Sequence, residues 1–436
     1  MTLEPVQFVT KIEIKMKINY YEHQQKIIDE SPDKVGLFWG CGTGKTLTAI
    51  KLAEKKKCNA LVICPKSLKE NWKREIDRFG DGIIEWKIIS KEEFKKYAME
   101  LPKYNTVIWD EAHYASGLKS QIHKITYKYI TYWKVEHFYL LTATPYMANC
   151  WSVFALGKLL GHDWKWHHWN RTFFYEIRLG KKPEPGKPDR RRRISKQKNG
   201  IENKIAEIVN RIGVTARIED LFDVPEQVFL DEFFDLTSEQ KKAMENVVET
   251  HPVVEFTKYH QICGGSLKGD GYTEDQFFKC DKLDRLLELI KENKKIMVIC
   301  SYNNEIQYIE KKIRSKYKDK QIFIINGAIK DKDMVVQAAE NVREGVVLAN
   351  SKCSEGYNLP SIPIMIFYSL DFSLKNYIQI LGRIQRGDHI KKNIYIHMTT
   401  KNSIDTDVYK CMINKEEFHI KIYAYKKREE KIRDGV

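Results

Sequence analysis

Gly40-Cys41-Gly42-Thr43-Gly44-Lys45-Thr46 is the stretch from which the rest of the chain is read. It follows the apolar run Val35 to Trp39, interrupted by Gly36, and precedes a helical pattern with apolar residues at Leu47, Ile50 and Leu52. Strand, glycine-rich turn and helix in this order let backbone N–H groups and a helix N-terminus surround anionic oxygens. In such a loop Gly40, Gly42 and Gly44 allow close backbone approach around Thr43. Lys45 reaches the β- and γ-phosphates of a nucleotide, and Thr46 ligates Mg²⁺. The strict pattern has a glycine where Trp39 stands, so the loop is one glycine short at its head.

Upstream, Tyr20-Tyr21-Glu22-His23-Gln24 opens a helix running to about Glu30. The Gln24 amide can both donate to and accept from an adenine edge, with an aromatic nearby to stack. Taken by itself the segment also fits an ordinary helix with a surface glutamine. Lys11 to Ile18 alternates charged and apolar residues at period two, as a half-solvated strand does.

Downstream, Ala60 to Cys64 is an apolar strand ended by Pro65, after which Lys66, Ser67 and Leu68 start a helix carrying Trp72. Short apolar strands separated by helices predict a parallel sheet covered on both faces. Lys66 and Ser67 at a strand exit suit contact with a nucleic-acid phosphate. Ile83 to Ile89 reads as another strand, and Thr106 to Asp110 as one that delivers Asp110-Glu111-Ala112-His113 to the sheet's carboxyl end. Ligands bind at that edge of open α/β sheets. Asp110 can hold Mg²⁺ and Glu111 can polarise the attacking water, whereas an acidic helix cap would explain Asp110 alone. Phe138 to Leu141 leads to Thr142-Ala143-Thr144-Pro145, whose hydroxyls can bond the acidic loop. Asn149 and Trp151 to Leu160 close this lobe, which offers no arginine at a convincing strand end for charge on a γ-phosphate.

Residues 161 to 200 change character. Trp164, Trp166 and Trp169 interleave with His162, His167 and His168, then Phe173, Phe174 and Tyr175 precede a basic stretch holding Arg190, Arg191, Arg192 and Arg193. Pro183, Pro185 and Pro188 oppose a long helix, so an extended basic loop is expected. It can follow a phosphate backbone with aromatics available to stack or wedge, or be a solvated tether. A second lobe follows, with strands at 227–234, 295–300, 321–325, 345–350 and 364–368. The stretch Leu374 to Leu381 then runs into Gln379-Ile380-Leu381-Gly382-Arg383-Ile384-Gln385-Arg386. Arg383 and Arg386, three apart on one helical face, are the expected γ-phosphate partners.

The chain has 436 residues, enough for two to three domains, and 74 basic against 59 acidic side chains, a formal +15 that favours a polyanionic partner. None of its nine cysteines forms a closely spaced pair, which fits small buried hydrophobes in a reducing compartment rather than disulfides or a zinc cluster. With no signal peptide and no apolar run of about 18 residues, a soluble intracellular protein is expected.

The ordered set Gly40 to Thr46, Asp110 to His113, Thr142 to Thr144, Ser354-Glu355-Gly356 and Gln379 to Arg386 resembles that of superfamily 2 helicases over about residues 20 to 400. Ile63 to Leu68 with Trp72, and Thr144-Pro145 with Asn149, are similar to Swi/Snf-type translocases. The size and basic insertion resemble small phage helicases that remodel branched DNA. Trp39, Ala143 and Glu355 depart from the Swi/Snf pattern.

The resemblance implies an α/β fold of two tandem RecA-like parallel-sheet domains, at 20–160 and 227–410, with a β element at 1–19, a basic aromatic insertion at 161–226 and a basic tail at 411–436. It places ATP and Mg²⁺ between the lobes. Gln24, Lys45, Thr46, Asp110 and Glu111 stand on one side, and Gly356, Gln379, Arg383 and Arg386 on the other. Lys66, Ser67 and Ser351 would face nucleic acid. The implied activity is ATP-driven movement on single-stranded, forked or branched DNA, by a monomer, in replication, recombination or repair in a bacterium or phage-infected cell. A DEAH-type RNA helicase, the motor of a restriction system and a nucleic-acid scaffold with a degenerate ATPase remain open. Lys45, Glu111 and Arg386 are all present, which speaks against the scaffold.

Overall fold

The computed structural model describes residues 18–40, 42–146, 150–179, 192–221, 225–249, 251–269, 273–329, 331–353, 357–385, 392–414 and 418–420, with isolated residues to 430; at 177–179, 192–196 and 218–219 it describes backbone alone. Of the expected N-terminal strand 11–18, residues 11–17 lie outside this set.

The apolar runs of the first lobe become β1 (Lys34–Trp39), β2 (Ala60–Cys64), β3 (Trp86–Ser90), β4 (Thr106–Asp110) and β5 (His137–Leu141), parallel in the order β3-β2-β4-β5-β1. Lys34 stands opposite Phe138 and Ala60 opposite Thr106. β2 and β4 are buried along their whole length, as expected where helices cover both sheet faces. Because the strands are parallel, Trp39, Cys64, Asp110 and Leu141 all end at one edge. The strand expected from Ile83 starts only at Trp86; Ile83 is an exposed loop residue.

On either side of residues 180–191, which lie outside the described residues, the insertion carries regular structure. A helix, Trp166–Phe173, leads into β6 (Phe174–Leu179), which pairs antiparallel with β7 (Arg192–Gln197), Phe174 opposite Gln197. Trp169, Phe173 and Phe174 are buried in the first-lobe core with Phe154. Trp166 and Tyr175 are exposed.

Residues 213–216, expected within the linker, form β8 (Gly213–Ala216), the sixth strand of the first sheet, with Gly36 opposite Gly213 and Trp39 opposite Ala216. The preceding helix, Glu202–Ile212, buries Ile205, Val209 and Ile212 against the same core. The first-lobe sheet therefore extends beyond 160 to Ala216.

The second lobe contains β9 (Val228–Phe234), the short ribbon β10 (Ser266–Leu267) and β11 (Gln276–Phe277), then β12 (Lys295–Cys300), β13 (Ile322–Ile325), β14 (Gly345–Asn350), β15 (Ile364–Phe367) and β16 (Ile394–Thr400). Its six-stranded sheet runs β13-β14-β12-β15-β16-β9, parallel throughout. Two tandem RecA-like lobes result. A buried ion pair braces the second: Lys282 Nζ lies 2.7 Å from Asp405 Oδ2, which also accepts from Thr400 N at 2.8 Å. Among the described residues no helix is long and apolar enough to cross a membrane, and no group of three His, Cys, Asp or Glu is placed to hold a metal ion.

Candidate nucleotide site and nucleic-acid edge

The glycine-rich loop is fixed from three directions. At its head, Gly40 N donates to Ala216 O of β8 at 2.8 Å. Within it, Thr43 Oγ1 donates to Gly40 O at 2.8 Å. Behind it, Gln24 Nε2 donates to Thr43 O at 3.2 Å, and His23 Nε2 lies 3.0 Å from the same oxygen. Gly44 has φ +84°, and a Cβ there would stand 1.9 Å from Gln24 Nε2. Only glycine meets both conditions. Lys45 opens the helix Lys45–Lys56, Thr46 follows in its first turn, and Lys45 Nζ donates to Trp39 O and Gly40 O, each at 2.8 Å. Gly42 lies in the turn between them.

Trp39 is a buried core residue at the end of β1, its ring edge-on to His23 with centroids 4.6 Å apart. The place of the missing glycine is thus the last position of a strand. Gln24 departs from the expectation for a free adenine reader. It is 1% exposed, its Nε2 engages Thr43 O, and its Oε1 accepts from Tyr21 N at 2.9 Å. Its amide braces the loop.

β4 delivers Asp110 and Glu111 to the same edge. Trp72 Nε1 donates to Asp110 Oδ2 at 2.8 Å, and Glu111 N donates to Oδ1 at 2.9 Å. Burial, then the neighbouring Glu111 charge, push the Asp110 carboxyl up to about 7, against the Trp72 bond and the Lys45 charge. Glu111 has φ +52°, rare for a residue with a side chain, and it re-aims the chain into a short turn, Ala112–Ala115. Its buried Oε2 lies 3.0 Å from His113 Nδ1, an ion-pair contact. Burial raises the Glu111 pKa, but His113, Lys45 and Lys375 together outweigh it and hold the carboxyl below its ordinary value. His113 Nδ1 also lies 3.4 Å from Thr142 Oγ1, which accepts from Thr144 N at 3.1 Å. The expected tie between the threonines and the acidic loop is therefore present, through the histidine.

The second-lobe residues are arranged differently from expectation. The helix Leu374–Leu381 ends with Gly382 as its cap, and Arg383 lies beyond it in a turn. Arg383 therefore lies off the helical face expected of it. The chain leaves the helix because Arg383 O accepts from Leu359 N at 2.9 Å. Arg383 is 7% exposed, its Nη1 donates to Tyr357 O at 2.9 Å, and its Nε is buried with no hydrogen-bond partner among the described residues. Gln379 is buried on the same helix. Arg386 and Gly356 lie outside the described residues. The structure thus brings Gln24, Thr43, Gly44, Lys45, Asp110 and Glu111 to one edge, while Arg383 engages Tyr357 of its own lobe.

Of the expected nucleic-acid contacts, Lys66 and Ser67 are exposed in a short turn after β2. Ser351 is not: it is 1% exposed, because the turn after β14 tucks it inward, and its Oγ has no hydrogen-bond partner among the described residues. The neighbouring Lys352 is exposed. Arg190 and Arg191 lie outside the described residues, and Arg192 and Arg193 are described as backbone in β7.

Three residues of the site carry roles that the sequence reading did not give them. Trp72 holds Asp110, and His23 supports the loop beside Gln24. Tyr114 accepts from Lys375 Nζ of the second lobe at 3.1 Å. Trp72 stands 38 residues from its partner and Lys375 stands 261 from Tyr114, so no local spacing could have paired them.

Residues 279–388 match the helicase conserved C-terminal domain. Among solved structures, the chain is similar to the Sulfolobus solfataricus SWI2/SNF2 ATPase core in complex with dsDNA, at 16% identity and a TM-score of 0.41 over 92% of each chain. No curated protein matches the chain.

Proposed function

We propose that this chain is an ATP-dependent DNA translocase or helicase, coupling ATP hydrolysis to movement on DNA and to remodelling of forked or branched DNA. One observation carries the reading. Lys45, at the C-terminal end of a glycine loop braced from behind, opens its helix at the same sheet edge to which β4 delivers Asp110 and Glu111. That juxtaposition suits a Mg²⁺–nucleotide. The Gly44 backbone leaves room that a side chain would fill, Thr46 and Asp110 would hold the metal, and Glu111, its carboxylate held by His113, would orient water. When bound, the metal would neutralise charge on the phosphates. Arg383, with a buried Nε lacking an acceptor, and Arg386 would supply positive charge from the second lobe.

The formal +15 and the exposed Lys66 and Ser67 support a polyanionic track. The likeness to Swi/Snf-type motifs supports DNA over RNA, and the likeness to small phage helicases makes branched DNA the first substrate to try. Lobes that close on nucleotide and open after product release would step along one phosphate backbone, as a monomer.

The test is hydrolysis with and without DNA. Glu111→Gln is expected to lower kcat about 10²-fold or more while nucleotide binding survives. Arg383→Ala and Arg386→Ala are each expected to lower kcat far more than nucleotide affinity, as for charge that acts on the transition state. Stimulation below about twofold by every DNA and RNA form tried would sink the translocase reading.

A further inference from the structure

Tyr114 sits directly after the acidic loop, and two lysines from different lobes converge on it. Lys375 Nζ, on the second-lobe helix Leu374–Leu381, donates to the phenol oxygen at 3.1 Å and lies 4.3 Å from the ring centroid. Lys91 Nζ, at the start of the first-lobe helix Lys91–Tyr97, lies 3.7 Å from the same centroid. An ammonium group over an aromatic face is attracted by the ring quadrupole, most strongly where water is partly excluded. Both lysines and Tyr114 are half-buried.

The ring is also continuous with the hydrolysis loop. His113 and Tyr114 have centroids 4.3 Å apart, and Tyr114 N donates to Glu111 O at 3.0 Å. His113 Nδ1 is in turn 3.0 Å from Glu111 Oε2. A displacement of the second-lobe helix therefore reaches the Glu111 carboxylate through Lys375, Tyr114 and His113, without passing through the nucleotide.

We infer that Lys375 is a positioning residue, acting through the Tyr114 ring to set the Glu111–His113 pair according to where the second lobe stands. The inference rests on the ATPase reading above and assigns a second link between the lobes, separate from the arginines. Lys375 touches no reacting atom in this account. Lys91 anchors the ring from the first lobe, so that Lys375 is the variable partner.

The experiment measures DNA-stimulated ATP hydrolysis and nucleotide affinity for the wild type, Lys375→Met, Tyr114→Phe, the double variant, Lys375→Arg and Glu111→Gln, with thermal melts as the folding check. Lys375→Met is expected to lower kcat about 5- to 20-fold, within the usual range of coupling between sites, with KM for ATP changed by less than about twofold. Tyr114→Phe removes the acceptor but keeps the ring, so a smaller loss is expected, and the double variant should be no worse than Lys375→Met. Lys375→Arg should restore most of the rate, because a guanidinium also sits over an aromatic ring and donates to its hydroxyl. Independent, multiplicative losses in the double variant would overturn the inference. So would a rise in KM at unchanged kcat, or unrestored activity in a folded Lys375→Arg. Glu111→Gln separates the two failures. If it leaves hydrolysis intact, the ATPase reading falls; if it silences hydrolysis while Lys375 and Tyr114 act independently, only the positioning role falls.

Discussion

The indole Nε1 of Trp72 donates to Asp110 Oδ2 at 2.8 Å, inside a site where both residues are buried. A carboxylate pushed up by burial and by a charged neighbour needs donors to stay ionised, and the indole is the side-chain donor it has. Trp72 comes from the helix Lys69–Phe79, whose only buried residue it is. That helix therefore reaches the Asp110 carboxylate, proposed above to hold Mg²⁺, through the indole Nε1. Trp72→Phe should remove a bond to a charged group worth about 1.5–3 kcal/mol. We expect the Mg²⁺ concentration for half-maximal hydrolysis to rise about 10-fold or more, and the thermal midpoint to fall as the buried carboxylate loses its donor. Wild-type Mg²⁺ dependence in this variant would reduce the indole to packing.

Gly44 carries the next prediction. A side chain at φ +84° is strained by about 1–2 kcal/mol, and here a Cβ also meets the Gln24 amide. Gly44→Ala should abolish nucleotide binding measured by a fluorescent analogue, with the fold intact. Adding Gln24→Ala removes the collision but keeps the strained backbone, so it should recover only part of the affinity. Full recovery would mean that strain is unimportant; none would mean that Gln24 is needed as a brace.

Much of this was legible in the sequence because it is local. The loop, the acidic pair and the parallel strands follow from runs of a few residues whose spacing has one physical meaning. What was not legible is long-range or short. β8 has four residues and no apolar run to announce it, yet its Ala216 carbonyl pins Gly40. Gln24 reads as an adenine partner, and no spacing announces that its amide closes on Thr43. Arg383 reads as helical because the pattern continues past Leu381, and only its pairing with Leu359 shows the chain turning away.

The Lys282–Asp405 pair predicts how the second lobe responds to acid. Burial raises the Asp405 carboxyl, and the Lys282 ammonium, followed by His260, more than reverses this and holds it well below the usual carboxylate range. A folded value below the unfolded one means a contribution fully present above about pH 4 and lost as pH falls through the folded value. Lys282→Met should cost about 3–5 kcal/mol by leaving a buried charge unpaired, whereas Lys282→Met with Asp405→Leu should recover much of it and flatten the acid dependence. All nine tryptophans lie at or before position 169, so fluorescence reports the first lobe. The loss should therefore appear in urea melts followed by circular dichroism more than in those followed by fluorescence. Equal shifts by both probes would mean that the lobes unfold as one unit.

The final prediction concerns the run Arg190 to Arg193. It is flanked by Lys187, Lys196 and Lys198 and by Pro183, Pro185 and Pro188, and its last two members enter β7 of an antiparallel hairpin on the first lobe. Guanidinium groups can follow a phosphate backbone without reading base edges. Replacing the four arginines with alanine should weaken binding across unrelated sequences and leave ATP affinity without DNA nearly unchanged. Each lost phosphate contact with duplex DNA should flatten the slope of log affinity against log salt by about 0.9, so even two contacts give a change that a salt titration resolves. Branched DNA should lose more affinity than a single strand if the hairpin holds a second duplex arm, because the two lobes still grip the tracking strand. An unchanged salt slope with wild-type unwinding of forks and junctions would make the run a solvated tether, and the DNA path would then have to be sought on the edges that carry Lys66 and Lys352.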